Sequence, residues 1–249
     1  MNDTLFTAGE NYAAYRPEYP EELMRGILEV APGRGLAVDV GCGTGQAGRK
    51  LVGHVERVLG IDPSLSQLSA APLSLRVQGI AESLPLREGV ADLLIIAQSM
   101  HWVQPEPFFR EVSRVLAPGG ILAVLSYATC SVSDRSVDAF FQDFYWGPFH
   151  RFWEPERALV ERGLRDIEVP GEPVELPFAA PAVMEKSMDL PAFEGYLGTW
   201  SAVRTAEKEG PAARAEFDAF LAELREVWGE PGRRLQVTWP LTVLVRRGL

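Results

Sequence analysis

The stretch VDVGCGTGQAG, residues 38–48, decides the fold prediction for this chain. A β-rich apolar run, LAVDV (36–40), leads into it, and the alternate glycines Gly41, Gly43 and Gly45 follow. Glycines in a turn directly after a strand let the backbone approach a ligand where any Cβ would collide with it. We therefore predict that the first strand is followed by a ligand-binding loop that opens a helix.

An acidic residue ends the next predicted strand. Asp62 directly follows RVLGI (57–61) and comes 21 residues after Gly41. At this place in a βαβ unit, a carboxylate can accept hydrogen bonds from both hydroxyls of an adenosine ribose. The order of strand, glycine loop, strand and acid therefore indicates a site for a cofactor that contains a nucleoside.

Two registers of the glycine loop are open. Gly43, Gly45 and Gly48 match the G-x-G-x-x-G fingerprint of dinucleotide-binding proteins. The first glycine of that fingerprint normally comes just after the strand, and Gly41 holds that place here. Counted from Gly41, the third glycine of the fingerprint would fall on Gln46. The dinucleotide register is therefore shifted by two residues.

The stretch from Asp39 to Gly45, D-x-G-x-G-x-G, resembles motif I of the class I S-adenosylmethionine-dependent methyltransferases. The cofactor of that family carries a cationic sulfonium and an amino acid instead of two phosphates. A carboxylate at Asp39 suits an ammonium group and would repel a pyrophosphate. The resemblance implies S-adenosylmethionine as the cofactor. Two alternatives stay open: a NAD-dependent oxidoreductase and a non-catalytic S-adenosylmethionine-binding protein.

Further segments resemble the motifs of that family, in the same order along the chain. GIDPS resembles the ribose-binding motif, GIAESLPL the segment beside the adenine, and ADLLIIAQSMHW the fourth strand where it enters the active site. RVLAPGGILAV completes the series. The resemblance implies that the cofactor is bound by Asp39, Gly41, Gly43, Gly45, Asp62, Pro63, Ala81, Glu82 and Gln98.

Two outer segments point to one branch of the family. YAAYRPEYP, before the first strand, resembles the N-terminal cover of a small-molecule branch that includes trans-aconitate methyltransferase-like proteins, and YLGTWSAV (196–203) matches a late segment of that branch. The resemblance implies methyl transfer to a small-molecule acceptor, most readily at an oxygen atom of a carboxylate or hydroxyl. The residues expected at the acceptor are Tyr12, Tyr15, Arg16, His101, Trp102 and Trp200.

Structural roles compete with these acceptor assignments. As the candidate catalytic residue, His101 can be a general base, a hydrogen-bond partner of the acceptor, or a structural ring bonded to backbone. Tyr15 and Arg16 can equally anchor the N-terminal arm, and Trp200 can belong to the core of a helix. His54 and His150 lack a ligand-like spacing with cysteines or acids, so the sequence supports no metal site.

Short β-rich runs alternate with helical stretches from residue 36 onward, which indicates βαβ units. The five runs are LAVDV (36–40), RVLGI (57–61), LRVQG (75–79), ADLLIIA (91–97) and GILAVLS (120–126). Later strands are expected at LRDIEVP (164–170), EKSMDL (185–190) and LQVTWPLTVLVRR (235–247). The resemblance implies an α/β, Rossmann-like fold: a mainly parallel sheet of seven strands, the last antiparallel, with helices on both faces and a helical cap.

We expect a single domain over residues 1–249. Residues 1–30 form its N-terminal cover, residues 31–130 its cofactor-binding core, and residues 131–249 its cap and final strands. The net charge of −10 disfavours nucleic acid as a partner, because binding to phosphates depends on clustered Lys and Arg.

The environment of the protein can also be predicted from the sequence. Cys42 and Cys130 are too few for a disulfide framework, and a bridge at Cys42 would distort the glycine turn. No run approaches the ~20 apolar residues that a membrane span requires, and residues 1–20 lack the features of a secretory signal. We therefore expect a cytoplasmic protein with no membrane partner.

Overall fold

The computed structural model describes residues 15–179 and 182–249. Its centre is a set of five parallel strands in the order β3-β2-β1-β4-β5. They confirm the five predicted runs, with β5 starting four residues earlier than expected. The strands are β1 (Leu36–Val40), β2 (Arg57–Asp62), β3 (Leu75–Gln78), β4 (Ala91–Ala97) and β5 (Leu116–Tyr127).

A long final strand, β9 (Leu235–Arg247), extends the sheet in the antiparallel direction. Its second half pairs with β5, as expected for the last strand. It also pairs with three short strands, β6 (Ser131–Val132), β7 (Glu172–Pro173) and β8 (Val183–Met188). The sheet therefore has nine strands and not the predicted seven, because β9, at 13 residues, is long enough to carry additional partners.

Two of the later strand predictions have different outcomes. The strand expected at 185–190 is present as β8, which starts and ends two residues earlier. The strand expected at 164–170 is wrong: this stretch consists of turns and irregular backbone. Leu164 has a φ of 59° there, a left-handed conformation that interrupts an extended chain. The short β7 follows at residues 172–173.

Alternate residues of the central strands face opposite sides of the sheet. Leu93 and Ile95 of β4 belong to one buried cluster, which includes side chains of the first helix, whereas Leu94 and Ile96 belong to a second cluster with the crossover helix before β5. Strands that are apolar on both faces must be covered on both. This confirms the predicted arrangement of helices on both faces.

Eight α-helices are present in the described part of the chain. None of them combines the length and apolar character that crossing a bilayer requires. The helices are α1 (Glu21–Val30), α2 (Leu65–Ala70), α3 (Pro105–Val115), α4 (Arg135–Trp146), α5 (Arg157–Glu161), α6 (Leu190–Leu197), α7 (Ser201–Glu209) and α8 (Pro211–Trp228). Short 3-10 helices lie at Gly48–Lys50, Met100–Trp102 and Pro148–Phe152.

The helix predicted directly after the glycine loop is not an α-helix. Residues 41–47 form turns, and only the 3-10 helix Gly48–Lys50 follows. Gly41, Gly43 and Gly45 have φ angles of 63°, 53° and 77°. A right-handed helix cannot contain residues in this left-handed region, so regular helix cannot begin until the three glycines have passed.

The helices after residue 130 pack together through aromatic side chains. Phe144 of α4 stacks on Phe220 of α8 with 3.7 Å between ring centroids, and Phe141 meets Phe193 of α6 edge to face at 5.5 Å. Buried aromatic rings supply most of the apolar area in such clusters. The aromatic run in α4 is therefore a packing feature of the helical cap.

Candidate functional site

A cleft lies at the carboxyl ends of β1, β2 and β4, the edge where open α/β sheets bind ligands. Its space, including the open mouth, is about 1070 Å³. Eight of the nine predicted cofactor-binding residues line it, and Gly45 does not. The eight are Asp39, Gly41, Gly43, Asp62, Pro63, Ala81, Glu82 and Gln98.

The glycine loop is held close to its neighbours. The N–H groups of Gly41 and Cys42 donate to the carbonyl oxygen of Ile61 at 2.8 and 3.1 Å, which fixes the loop to β2. A Cβ at Gly41 would lie 2.5 Å from Ser99 Oγ. A left-handed φ and this contact together leave room only for glycine.

Asp39 lies at the base of the loop, with 1% of its surface exposed. Its Oδ2 accepts a hydrogen bond of 2.7 Å from the N–H of Gly48, and its Oδ1 has no partner among the described residues. Burial raises the pKa of this carboxyl to about 7, against the lowering effect of the Gly48 hydrogen bond. A buried acid with one unused oxygen is suited to a cationic ligand group.

Asp62 joins the loop to the end of β2. Its Oδ2 accepts from the N–H of Gly43 at 2.8 Å, and its Oδ1 accepts from the N–H of Ser64 at 2.8 Å. Asp62 also lines the cleft, at the place where a carboxylate suits hydroxyl donors such as those of a ribose.

A third wall of the cleft comes from residues 79–82. Glu82 Oε1 accepts a hydrogen bond of 2.9 Å from the N–H of Gln104, which ties this wall to the start of α3. Ile80, Ala81 and Val103 are apolar residues of the lining. They provide the kind of surface on which a flat heteroaromatic base packs.

Gln98 lines the cleft but its side chain is engaged elsewhere. Its Oε1 accepts from the N–H of Tyr127 at 2.8 Å and from Ser126 Oγ at 3.2 Å, and its Nε2 donates to the carbonyl oxygen of Tyr127 at 3.0 Å. The amide thus joins β4 to β5. Its φ of 56° turns the chain at the end of β4.

His101 and Trp102 have different places. Trp102 lines the cleft, whereas His101 is 9% exposed and does not; their ring centroids are 4.8 Å apart. Burial, and then the positive charge of Arg157, lower the pKa of His101 to about 3. The imidazole is therefore neutral at physiological pH. Its Nδ1 is buried without a partner in the described chain.

Tyr15, Arg16 and Trp200, also predicted at the acceptor, lie outside the cleft lining. Arg16 donates to Tyr127 Oη at 3.3 Å and to the carbonyl oxygen of Thr199 at 3.0 Å. Tyr15 packs on Gly195, where a Cβ would lie 2.4 Å from its ring. Trp200 is 1% exposed within the aromatic cluster. Tyr12 lies outside the described residues.

Three buried polar atoms around the loop have no hydrogen-bond partner within the described ranges. They are Asp39 Oδ1, Thr44 Oγ1 and Gln46 Nε2, and all three residues line the cleft. Leaving a buried polar atom unsatisfied costs about 1–3 kcal/mol. An acceptor at Asp39 and donors at Thr44 and Gln46 match the ammonium and carboxylate of an amino acid. The donor set fits the tail of S-adenosylmethionine, and the buried carboxyl of Asp39 would repel a pyrophosphate.

Sequence reasoning missed Thr44 and Gln46, which line the cleft, and the role of Gly48 beside it. Thr44 and Gln46 occupy the variable positions of the glycine motif, so spacing gave no signal for them. Gly48 counted only toward a dinucleotide fingerprint, although its N–H binds Asp39 and a Cβ there would lie 2.8 Å from Asp39 Oδ2. The sequence clue to this role was that Gly48 follows Asp39 by nine residues.

Comparisons with known proteins show which family the chain resembles. Residues 38–124 match the family model described as a methyltransferase domain. A solved structure from Anaeromyxobacter dehalogenans, by name a type II methyltransferase, is 39% identical, covers 94% of this chain and 98% of its own, and superposes with a TM-score of 0.78.

Two curated relatives also align over most of the chain. One, from Dictyostelium discoideum and named as a methyltransferase, is 28% identical over 216 residues, which are 84% of this chain and 81% of the relative. The other, from Saccharomyces cerevisiae and named as an S-adenosylmethionine-dependent methyltransferase, is 25% identical over 252 residues, covering 87% of each.

Proposed function

Because this chain belongs to the class I S-adenosylmethionine-dependent methyltransferases, we propose that it methylates a small-molecule acceptor at an oxygen atom of a carboxylate or hydroxyl group. The cofactor of the family, when bound, supplies a methyl group that its sulfonium has already made electrophilic. The protein then has to position the acceptor and exclude water. The observation that carries the proposal is the burial of the side chains beside the cofactor cleft.

The residues of the cleft divide between the parts of the cofactor. Asp39 would accept a hydrogen bond from the ammonium of the amino-acid tail, and Thr44 and Gln46 would donate to its carboxylate. Asp62 would accept the ribose hydroxyls. Ala81 and its neighbours would pack on the adenine. The same tail recognition argues against a nicotinamide dinucleotide, which has no ammonium.

The size of the acceptor follows from burial. Tyr19 lines the cleft with only 3% of its surface exposed, and His101 behind Trp102 is 9% exposed. A protein or nucleic acid would reach side chains at this depth only by inserting a single side chain or a flipped-out base, whereas a small molecule can enter whole. The net charge of −10 further disfavours nucleic acid. A small acceptor that enters the cleft is the class that these features favour.

The titratable groups near the cleft favour oxygen as the acceptor atom for the methyl group. Burial raises the pKa of the Cys42 thiol far above its usual range, so it is protonated and cannot act as a base. Asp39 and Asp62 are assigned to the cofactor. A carboxylate acceptor needs no base, because it is already an anion. A hydroxyl acceptor would need a base, and the lowered pKa of His101, about 3, makes its neutral imidazole a hydrogen-bond partner but a weak base.

The proposal is tested by offering the protein S-adenosylmethionine and a panel of small acids, alcohols, phenols and amines. S-adenosylhomocysteine formation and the mass of each product are measured. We expect transfer to oxygen, strongly reduced in an Asp62→Ala variant and unchanged in Asp218→Asn, which alters an exposed ion pair with Arg214. Transfer to amines alone, or to carbon alone, contradicts the proposal.

We also propose that residues 1–249 act as one domain in the cytoplasm. The N-terminal cover (1–30), the cofactor-binding core (31–130) and the cap (131–249) are its three parts. In support, Cys42 and Cys130 are both buried free thiols, as in proteins of reducing compartments. Limited proteolysis that released a stably folded fragment would contradict the single domain.

A further inference from the structure

A second group of buried polar atoms lies without hydrogen-bond partners in the described chain, apart from those of the cofactor cleft. These atoms are His101 Nδ1, Thr129 Oγ1 and Trp153 Nε1. None of the three residues lines the cofactor cleft. Most buried polar atoms in proteins are hydrogen-bonded, so a group of three indicates a place where another molecule supplies the partner.

Arg157 connects the three atoms. Its guanidinium carbon lies 4.6 Å from the centre of the Trp153 ring. Its positive charge acts on the pKa of His101 and on that of Cys130, the residue after Thr129. Trp153 is thus in contact with the guanidinium, and His101 and the 129–130 segment lie close enough to feel its charge.

The guanidinium is held through its Nε edge and by its contact with the Trp153 ring. Its Nε donates to Tyr145 Oη at 3.0 Å and lies 3.8 Å from Glu161 Oε1. The same oxygen of Glu161 accepts from Tyr145 Oη at 2.6 Å and lies 3.1 Å from His150 Nε2. The carboxylate of Glu161 therefore interacts with Tyr145, His150 and Arg157 at the same time. Glu161 and Tyr145 together orient the guanidinium of Arg157 by its Nε edge.

The terminal nitrogens of Arg157 make no hydrogen bond to any part of the chain that the structure describes, although only 11% of the side chain is exposed. With the N–H of Trp153 and the hydroxyl of Thr129, they form a set of donors. A planar guanidinium with free terminal nitrogens is suited to bind a carboxylate with two parallel hydrogen bonds. The set therefore favours an anion and offers little to a cationic or apolar group.

This donor set lies on the acceptor side of the cofactor cleft. The 3-10 helix Met100–Trp102 follows β4, and Thr129 follows β5, the neighbouring parallel strand. The α5 helix, which begins at Arg157, packs on the same 3-10 helix. The rings of His101 and Trp102 are in contact, and Trp102 lines the cleft. Trp102 thus connects His101, a member of the second group, to the cofactor cleft.

We propose that Arg157, Thr129 and Trp153 form the acceptor subsite and that the acceptor is a small molecule carrying a carboxylate. Arg157 holds this carboxylate, with the N–H of Trp153 and the hydroxyl of Thr129 as further donors. The assignment rests on the proposed function, because it takes the anion that these donors would bind to be part of the methyl acceptor. The subsite is a binding device and includes no covalent step.

Calorimetry on the protein saturated with S-adenosylhomocysteine tests the subsite directly. The probes are citrate, malate and succinate, each paired with its amide, and a phosphate monoester of similar size. We expect at least one acid to bind and its amide not to bind. Arg157→Gln should lower the affinity for that acid about tenfold or more, and Arg157→Lys should restore part of the affinity. The affinity for S-adenosylhomocysteine stays unchanged in both variants.

A matched control lies nearby in the chain. Arg162 forms an exposed ion pair with Asp166, and 55% of its side chain is accessible. Arg162→Gln removes the same charge close to Arg157 without touching the subsite. We expect it to bind the acid as the unaltered protein does. An equal loss of affinity in Arg162→Gln and Arg157→Gln would overturn the proposal, because it would report only a change in net charge.

Two conservative variants keep the test valid if Arg157→Gln does not fold. Thr129→Val and Trp153→Phe each delete one donor that has no partner in the free protein. Neither change should lower the folding stability through a lost hydrogen bond. Each should nevertheless lower the affinity for the acid several-fold. Equal acid affinity in the unaltered protein and in all three variants overturns the proposal, as does binding of the phosphate monoester alone.

The outcomes separate this inference from the proposed function. Acids that bind through Arg157 while the methyl group goes to nitrogen or carbon would support the subsite and overturn methylation at oxygen. Uncharged alcohols that are methylated at oxygen, in a protein that binds no acid, would support the proposed function and overturn the subsite.

Discussion

The carboxylate of Asp39 and the backbone N–H of Gly48 form one unit of the glycine loop. The hydrogen bond between them is 2.7 Å long, and a Cβ at Gly48 would lie 2.8 Å from the same Oδ2 atom. The fourth glycine therefore allows the acid to be buried at the base of the loop, and the other carboxylate oxygen stays available.

Gly48→Ala should disturb the glycine loop where Gly48 contacts Asp39. The added Cβ displaces the carboxylate or the 3-10 helix, and overpacking of this kind costs about 1–3 kcal/mol. We expect a lower free energy of unfolding and weaker binding of S-adenosylhomocysteine, measured by denaturation and calorimetry. Gly232→Ala is the control, because nothing lies within 4 Å of a Cβ there. If both variants behave alike, the contact with Asp39 is not responsible.

The buried Asp39 should make stability depend on pH. Burial raises its pKa from 3.8 to about 7 in the folded protein, so the folded state holds a proton that the unfolded state has lost. The resulting stability is present at acidic pH and is lost as the pH rises from about 4 to about 7. The Asp39→Asn variant should not lose stability in this way over the same pH range. Parallel stability curves for the two proteins across that range would contradict the assignment.

Cofactor binding should release a proton from Asp39 when the pH is slightly below neutral. An ammonium group at Oδ1 favours the ionised carboxylate, which is only partly populated in the free protein. Calorimetry of S-adenosylhomocysteine in two buffers with different ionisation enthalpies measures this release. Methylthioadenosine, which has no amino-acid tail, should release none, and neither should Asp39→Asn with either ligand. Equal release with both ligands would remove Asp39 from the tail site.

Asp62 should affect a different part of the ligand. Asp62→Ala removes charge-assisted hydrogen bonds worth about 1.5–3 kcal/mol each, and it also frees the N–H groups of Gly43 and Ser64. We expect at least about tenfold weaker binding of both S-adenosylhomocysteine and methylthioadenosine, because both contain the ribose. A loss confined to S-adenosylhomocysteine would place Asp62 at the tail instead.

His101 should destabilise the protein in acid. Its pKa falls from 6.5 to about 3 on folding, through burial and then Arg157. The folded state therefore binds fewer protons than the unfolded state in this range, and stability is lost as the pH falls below about 6.5. His101→Gln should be less sensitive to acid than the unaltered protein. The same acid sensitivity in both proteins would show that His101 does not remain neutral in the folded state.

Much of the sheet could be predicted, because its central strands are buried on both faces and read as short apolar runs. The positions of β1, β2 and β4 follow from this pattern, and the three glycines adopt the left-handed φ angles that their motif requires. The pattern is weaker after residue 130. There, a short run such as 164–170 fits a strand by composition, but Leu164 turns the backbone out of the extended region.

The acceptor side could not be predicted in the same way. Arg16 and Trp200 stood out by residue type, yet the fold places both outside the cleft lining. Arg157, Thr129 and Trp153 belong to no recognisable motif. Arg157 contacts Trp153 and packs near the end of β4 only in the folded chain, and the lack of partners for the donors of Thr129 and Trp153 is likewise visible only there.

The central claim, methyl transfer to oxygen of a small acceptor, is tested most directly by following the methyl group itself. The protein is incubated with S-adenosylmethionine carrying an isotopically labelled methyl group and with a cell extract, and the extract is then separated by size. We predict label in the low-molecular-weight fraction, in an ester or ether identified by mass spectrometry. Label recovered only in protein or nucleic acid would contradict the account.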